Sequence, residues 1–131
     1  MPIILPVTLM TGSALAFLCL ALVVRVGQGR FVHNVSIGDG GNADLLMRMR
    51  THANFVEYVP FILMLMALLE LGGAHRTVLA WFGCALVAFR VLHAIGMPRS
   101  APNPYRAIGA LGTVALLLAI AVYGVVLSLA A

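Results

Sequence analysis

Four long apolar stretches constrain the fold of this chain more than any other feature. The first runs from about residue 3 to 24, and the others cover about 43–71, 77–96 and 105–130. A helix of about 20 apolar residues crosses a hydrocarbon core of about 30 Å. The stretches therefore predict an all-α integral membrane protein. Four spanning helices leave no room for a separate water-soluble domain, so residues 1–131 are expected to form one transmembrane domain.

The composition agrees with a chain that resides in a lipid bilayer. Hydrophobic residues make up 63% of the sequence and charged residues only 9%, far from the usage of soluble domains. The net charge is +4, but the arginines are dispersed among apolar helices, which disfavours nucleic-acid binding. The first apolar run exceeds the length of a signal-peptide core and lacks a basic segment before it. We expect it to remain as a spanning helix.

The connections between the helices predict an orientation in the membrane. We expect Arg25 to close the first helix, a glycine-rich loop to extend to Asp44, and Glu70 to be a solvated helix end near the short second connection. Arginines cluster around the first and third connections, whereas the second holds only Arg76. By the positive-inside rule the first and third connections face the cytoplasm. The clustered arginines are Arg25, Arg30, Arg48, Arg50, Arg90, Arg99 and Arg106.

A polar stripe interrupts the second apolar stretch. Arg50, Asn54 and Glu57 are spaced i, i+4, i+7, which places a cation, an amide and an anion on one helix face. Charged groups inside a bilayer cost about 2.5 to 3.5 kcal/mol on insertion scales and need partners. The stripe therefore indicates either a buried ligand site or an internal ion pair that fixes helix packing.

Other polar residues are expected at the same membrane level. Arg90 and His93 lie one turn apart near the end of the third helix, Arg106 opens the fourth, and Arg25 closes the first. With the stripe, residues of all four helices can converge on one site. His33 and His52 do not form a metal set with His93, because no cysteine or carboxylate completes the spacing. We predict no metal.

The motif residues resemble those of the MAPEG family, the membrane-associated proteins in eicosanoid and glutathione metabolism. The resemblance rests on Arg50-x-x-x-Asn54-x-x-Glu57-Tyr58-x-Pro60 in the second helix. Arg90-x-x-His93 in the third helix and Pro104-x-Arg106 at the start of the fourth extend it. The small size and the Gly38-Asp39-Gly40-Gly41 run resemble bacterial members, which implies a location in the bacterial inner membrane.

The resemblance implies a four-helix bundle assembled as a homotrimer, with glutathione as co-substrate between subunits. It implies that Arg50 binds a carboxylate, Asn54 the peptide and Glu57 the ammonium, and that Arg106 stabilises the thiolate. The remaining implied contacts with glutathione come from Tyr58, Arg25, Arg90 and His93.

The function implied by the resemblance is conjugation or reduction of a lipophilic electrophile or hydroperoxide by the glutathione thiolate. Met97 and Ala107 stand where some members have tyrosine and serine, which disfavours a prostaglandin-type isomerase. The alternative is a non-catalytic membrane protein that binds an anionic lipid or a small thiol. A transporter ranks third among the hypotheses. One short subunit leaves little space for the alternating access that transport requires.

Overall fold

The computed structural model describes residues 4–130, which form four helices. These are α1 (Pro6–His33), α2 (Ala43–Leu71), α3 (Arg76–Gly96) and α4 (Pro104–Leu129). Each is long and apolar enough to cross a membrane, so the prediction of an all-α integral membrane protein with four spanning helices is confirmed. The bounds of α2, α3 and α4 lie within one residue of those expected. The expected start of the first helix at residue 3 lies outside the described residues.

The prediction that Arg25 closes the first helix is wrong. The helix continues to His33, roughly two further turns, because no proline interrupts this part of the chain. It ends at Asn34, whose φ of 54° is left-handed, a conformation that asparagine tolerates better than most residues. Arg30 then fastens the following loop by donating from Nη1 to the carbonyls of Ser36 at 3.1 Å and Gly38 at 3.0 Å.

Polar side chains satisfy the free backbone N–H groups at three helix starts. Asn42 caps α2 by accepting from the N–H of Leu45 at 3.0 Å, and Asn103 caps α4 in the same way. The expectation of a solvated Glu70 is wrong. Its carboxylate, from the end of α2, accepts from the N–H groups of Val7 and Thr8 at 2.9 and 2.8 Å.

The core lies along the centre of the bundle. From Thr51 to Leu69 the buried residues of α2 recur at steps of three or four, which is the spacing of one helix face. The neighbouring helices contribute aliphatic side chains to the same cluster. Its most buried members are Leu15, Leu22, Phe55, Val59, Ile62, Met66, Leu69, Leu79, Leu86 and Ile120. Arg50 and Asn54 each precede a buried residue of this face by one position, so the polar stripe lies beside the core.

Small residues bring α3 and α4 into close contact. A Cβ atom added to Gly109 would lie 2.5 Å from the backbone nitrogen of His93, and one added to Gly112 would lie 2.5 Å from the Phe89 ring. Gly96 faces the backbone of Arg106 just as closely. Close approach of this kind is how small residues pack helices in membranes. Gly109 and Gly112 therefore allow α3 and α4 to pack closely.

Large apolar side chains cover the outside of the bundle. Phe17, Trp81 and Leu111 are 75%, 72% and 71% exposed, and large apolar side chains exposed in this number are unusual for a protein in water. In a bilayer these side chains lie among lipid tails. The exposed apolar surface thus agrees with the prediction, made from the lengths of the apolar stretches, that the helices span a membrane.

Candidate functional site

The stripe on α2 lies on an unbroken helix, so its three polar residues share a face as expected. Arg50 and Glu57 are exposed on the surface of the bundle and Asn54 is half-buried. Within residues 4–130, both ion pairs involve Asp44, which contacts His33 and Arg48. Neither Arg50 nor Glu57 forms an ion pair there. The described chain by itself therefore leaves a cation and an anion of the stripe available to another molecule.

Arg90 joins the stripe from α3. Its side chain is 2% exposed, and its Nη1 donates to the side-chain oxygen of Asn54 at 2.9 Å and to the Asn54 carbonyl at 3.3 Å. Arginine has no acceptor atom, so the Asn54 amide must present its oxygen to Arg90. The amide nitrogen of Asn54 therefore remains free to donate to a ligand.

A small cavity adjoins this contact. Its volume is about 90 Å³, and Asn54, Tyr58 and Arg90 line it together with residues of α4. The α4 residues are Ala110, Leu111, Thr113 and Val114. The Nε and Nη2 atoms of Arg90 are buried and have no hydrogen-bond partner among the described residues. Tertiary structure thus places three of the predicted site residues, from α2 and α3, around one space.

His93 and Arg106 lie at the contact between α3 and α4. His93 is 5% exposed because the Gly109 backbone packs directly against it. Arg106 belongs to the first turn of α4, where its backbone N–H donates to the Asn103 side chain at 3.3 Å. The residue is exposed. The predicted thiolate-stabilising arginine is therefore accessible, whereas the histidine one turn from Arg90 is enclosed by helix packing.

Arg25 lies where α1 passes the start of α2. Its carbonyl accepts from Nη1 of Arg48 at 3.0 Å, and Arg48 also donates to Asp44 at 2.9 Å. Arg25 therefore lies near the cytoplasmic end predicted for the stripe. Among residues 4–130 its side chain makes no hydrogen bond with Arg50, Glu57 or Arg106. The chain thus brings Asn54, Tyr58 and Arg90 together, and it leaves Arg50, Glu57 and Arg106 on an exposed surface.

Two larger apolar grooves lie away from these residues. One, between α1 and α3, has a volume of about 760 Å³ and includes Thr11 and Cys84 in its walls. The other, between α2 and α4, has a volume of about 670 Å³ and includes Phe61 and Gly124. None of the predicted site residues lines either groove. The grooves suit apolar matter such as lipid tails, whereas the polar chemistry lies at the stripe.

The sequence analysis did not identify two residues that fix the starts of α2 and α4, namely Arg48 and Asn103. Arg48 connects α2 to α1. Its i, i+4 spacing from Asp44 is typical of an ion pair on a helix and could have indicated a structural role. Asn103 precedes Pro104, a frequent first residue of helices, and it also donates to the Gly96 carbonyl at 2.9 Å. Within residues 4–130, no cluster of three His, Cys, Asp or Glu side chains could hold a metal ion.

The fold and the site define a multi-pass helical membrane protein with a polar site at one end of its bundle. Residues 8–126 match the MAPEG family. The chain belongs to this family.

Two curated relatives give more detail. The inner membrane protein YecN of Escherichia coli (strain K12) is 38% identical over 74 residues, which is 56% of this chain and 54% of that protein. YecN of Escherichia coli O6:H1 matches with the same identity and coverage. The match therefore spans about half the length of the curated relatives. No solved structure matches the chain.

Proposed function

We propose that this protein is a glutathione-dependent enzyme of the bacterial inner membrane. The observation that carries the proposal is the stripe on α2, where Arg50 and Glu57 are exposed without an ion-pair partner in the described subunit. Between them Asn54 has its oxygen held by Arg90. Opposite charges on both sides of an amide complement a zwitterionic peptide. Membership of the family and the inner-membrane name of the relatives support the same assignment.

Each residue of the stripe has a role that follows from its chemistry. Glutathione offers carboxylates, an ammonium and peptide groups, so its site needs cations, an anion and amide partners. Arg50 binds a carboxylate, Glu57 pairs with the ammonium, and the Asn54 amide nitrogen donates to a peptide carbonyl. Tyr58 adds a hydroxyl. The cationic wall beside them is formed by Arg25 and Arg90, with His93 packed behind.

Arg106 activates the thiol in this proposal. A nearby guanidinium favours the charged form of a thiol, and the thiolate is the nucleophile. In a conjugation the thiolate forms a carbon–sulfur bond and the leaving group departs with the bonding electrons. In a reduction the thiolate attacks the hydroperoxide, and a second glutathione completes the disulfide, giving an alcohol and water. The lipophilic substrate enters from the bilayer.

A homotrimer completes the site. Arg50, Glu57 and Arg106 are all exposed on the isolated subunit, and charged groups facing lipid are costly. Packing a second subunit against α2 would cover them and enclose a polar ligand between chains. Native mass spectrometry of the protein released from detergent is expected to give the mass of three chains.

Binding is tested by calorimetry with glutathione on the detergent-purified protein. Glu57→Gln and Arg50→Ala each remove one charge that meets the ligand, and losses of hydrogen bonds to charged groups are about 1.5–3 kcal/mol. We expect each to weaken affinity at least tenfold while the oligomer persists. Asp39→Asn, in the loop after α1, is the control for Glu57→Gln. Equal weakening by Asp39→Asn, or no binding to intact wild-type protein, would contradict the proposal.

Turnover separates the enzyme from the alternative, a non-catalytic protein that binds an anionic lipid or a small thiol. Arg106→Ala should lower kcat with 1-chloro-2,4-dinitrobenzene at least tenfold, because the thiol loses the cation that favours its ionised form. The ultraviolet absorbance of the bound thiolate should then appear only at higher pH than in the wild type. Binding of glutathione without turnover of this electrophile or of cumene hydroperoxide would favour the alternative.

A further inference from the structure

The groove between α1 and α3 has a cation at one end. Arg76, the first residue of α3, lines this groove together with apolar and small side chains such as Ala14 and Ala80. The hydroxyl of Thr11, which also lines it, donates to the Val7 carbonyl of the same helix at 2.9 Å. The α1–α3 groove therefore combines an apolar trough with a positive charge at the membrane surface.

The length of the groove matches one leaflet of a bilayer. On α3 its walls extend from Arg76 to Ala88, which is roughly 18 Å at the usual rise of a helix. Half of a hydrocarbon core of about 30 Å is about 15 Å. The volume of about 760 Å³ lies within the roughly 300–1,000 Å³ of ligand sites. A lipid tail that enters beside Arg76 can therefore fill the groove along its length.

The electrostatics at the Arg76 end favour an anion. Arg76 is exposed, and it forms no ion pair within residues 4–130. The start of α3 adds a partial positive charge, and His75, the residue before it, gives its first-turn N–H groups no side-chain cap. The phosphate of a lipid headgroup is an anion that every phospholipid membrane presents at this level.

A second copy of the chain does not offer the matching charge. In the proposed homotrimer the copies share one orientation, so a neighbour would present the acidic side chains of the same end. Glu70 lies at that end, but its carboxylate already accepts from two N–H groups of α1. Glu57 lies thirteen residues earlier in α2, roughly 20 Å along the axis. Asp39 and Asp44 precede it in the chain, at the first connection and the start of α2.

We propose that the α1–α3 groove binds one tail of an anionic phospholipid, with the headgroup phosphate on Arg76. The lipid comes from the leaflet on the side of the second connection, where Arg76 lies. A net negative headgroup is preferred, because a zwitterionic lipid would bring its own cation close to Arg76. None of the residues of the polar stripe lines this groove, so the proposal does not rest on glutathione binding.

The test is photolabelling of the full chain in nanodiscs of phosphatidylcholine. These contain a small fraction of phosphatidylglycerol that carries a diazirine in one tail, and mass spectrometry of the peptides locates the adducts. We expect adducts on residues 6–14 and 77–88, at least threefold above those from phosphatidylcholine with the same diazirine. An excess of unlabelled phosphatidylglycerol should remove them.

Two pairs of variants separate the headgroup contact from the tail contact. Arg76→Gln should abolish the preference for phosphatidylglycerol, whereas Arg99→Gln, which removes an exposed arginine that stacks on Tyr105, should retain it. Ala80→Phe fills the groove and should lower the labelling at least fivefold. Ala121→Phe, which places the same side chain in the groove between α2 and α4, should leave the labelling unchanged.

Three results would overturn the proposal. Equal labelling of the groove by the two lipids in the wild type would show that the headgroup is not recognised. An unchanged preference in folded Arg76→Gln would place the phosphate elsewhere. Absence of lipid adducts from the groove would mean that a neighbouring chain covers it. If Ala80→Phe does not fold, the comparison of Arg76→Gln with Arg99→Gln decides the matter.

Discussion

At the scale of single residues, Glu70 shows how a charged side chain in an apolar chain acquires a structural task. The first turn of α1 has N–H groups without partners inside the helix. The carboxylate of Glu70 accepts two of them, from Val7 and Thr8, and its negative charge is favourable at the positive end of the helix dipole. Glu70 therefore connects the end of α2 to the start of α1.

Removal of the Glu70 carboxylate should destabilise the bundle. Loss of a helix cap costs about 0.5–2 kcal/mol, so Glu70→Ala is expected to lower the midpoint of thermal unfolding in detergent. Ser128→Ala is the matched control, because the Ser128 hydroxyl donates within its own helix, to the Gly124 carbonyl at 2.8 Å. Equal stability of Glu70→Ala and the wild type would show that water replaces the carboxylate at no cost.

At the scale of elements, the contact between α3 and α4 sets the position of the site. The glycines of this contact allow backbone to meet backbone at His93 and Arg106. Arg90 lies one turn before His93 on α3, and the cavity wall on α4 begins directly after Gly109. A wider separation of the two helices would therefore change the cavity and the direction of Arg106 together.

Two glycine substitutions on α4 test this contact. The added methyl of Gly109→Ala would meet the His93 backbone at 2.5 Å, and overpacking costs about 1–3 kcal/mol. The methyl of Gly124→Ala would meet only Leu69 at 3.8 Å, so this variant should gain about 0.5–1 kcal/mol from helix propensity. Thermal unfolding of both variants measures the difference. Similar stability of the two would contradict close packing at Gly109.

At the scale of the whole molecule, the arginines divide the bundle into two ends. The end with the first and third connections holds the stripe, Arg106 and the network of Asp44, while the other end holds Arg76 and Glu70. The positive-inside rule assigns the arginine-rich end to the cytoplasm. A site there would be open to cytoplasmic glutathione.

Labelling of single cysteines tests this orientation. In a background with Cys19→Ser and Cys84→Ser, the variant Asp39→Cys should react with an impermeant maleimide only after the inner membrane is opened. His75→Cys, in the second connection, should react in intact spheroplasts. The reverse pattern would place the stripe on the outer side and require an external source of thiol.

Part of the polar site could be predicted from the sequence and part could not. The spacing of Arg50, Asn54 and Glu57 gave their shared helix face, because helix periodicity is local. The bond between Arg90 and Asn54 joins residues far apart in the chain, so no local pattern could predict which atoms of the stripe remain free. The first helix is longer than predicted, because an arginine such as Arg25 is compatible with a helix interior as well as with a helix end.

The sequence by itself determined that four helices cross a membrane and that polar groups enter the second one, because hydrophobic length and helical period are properties of short segments. Only the tertiary structure decided that Glu70 caps α1 and that two nitrogen atoms of the buried Arg90 have no hydrogen-bond partner within residues 4–130. It also decided that glycines bring α3 against α4. These features depend on which surfaces meet, and hydrogen bonds and packing between helices are selected by the three-dimensional fit of the whole bundle.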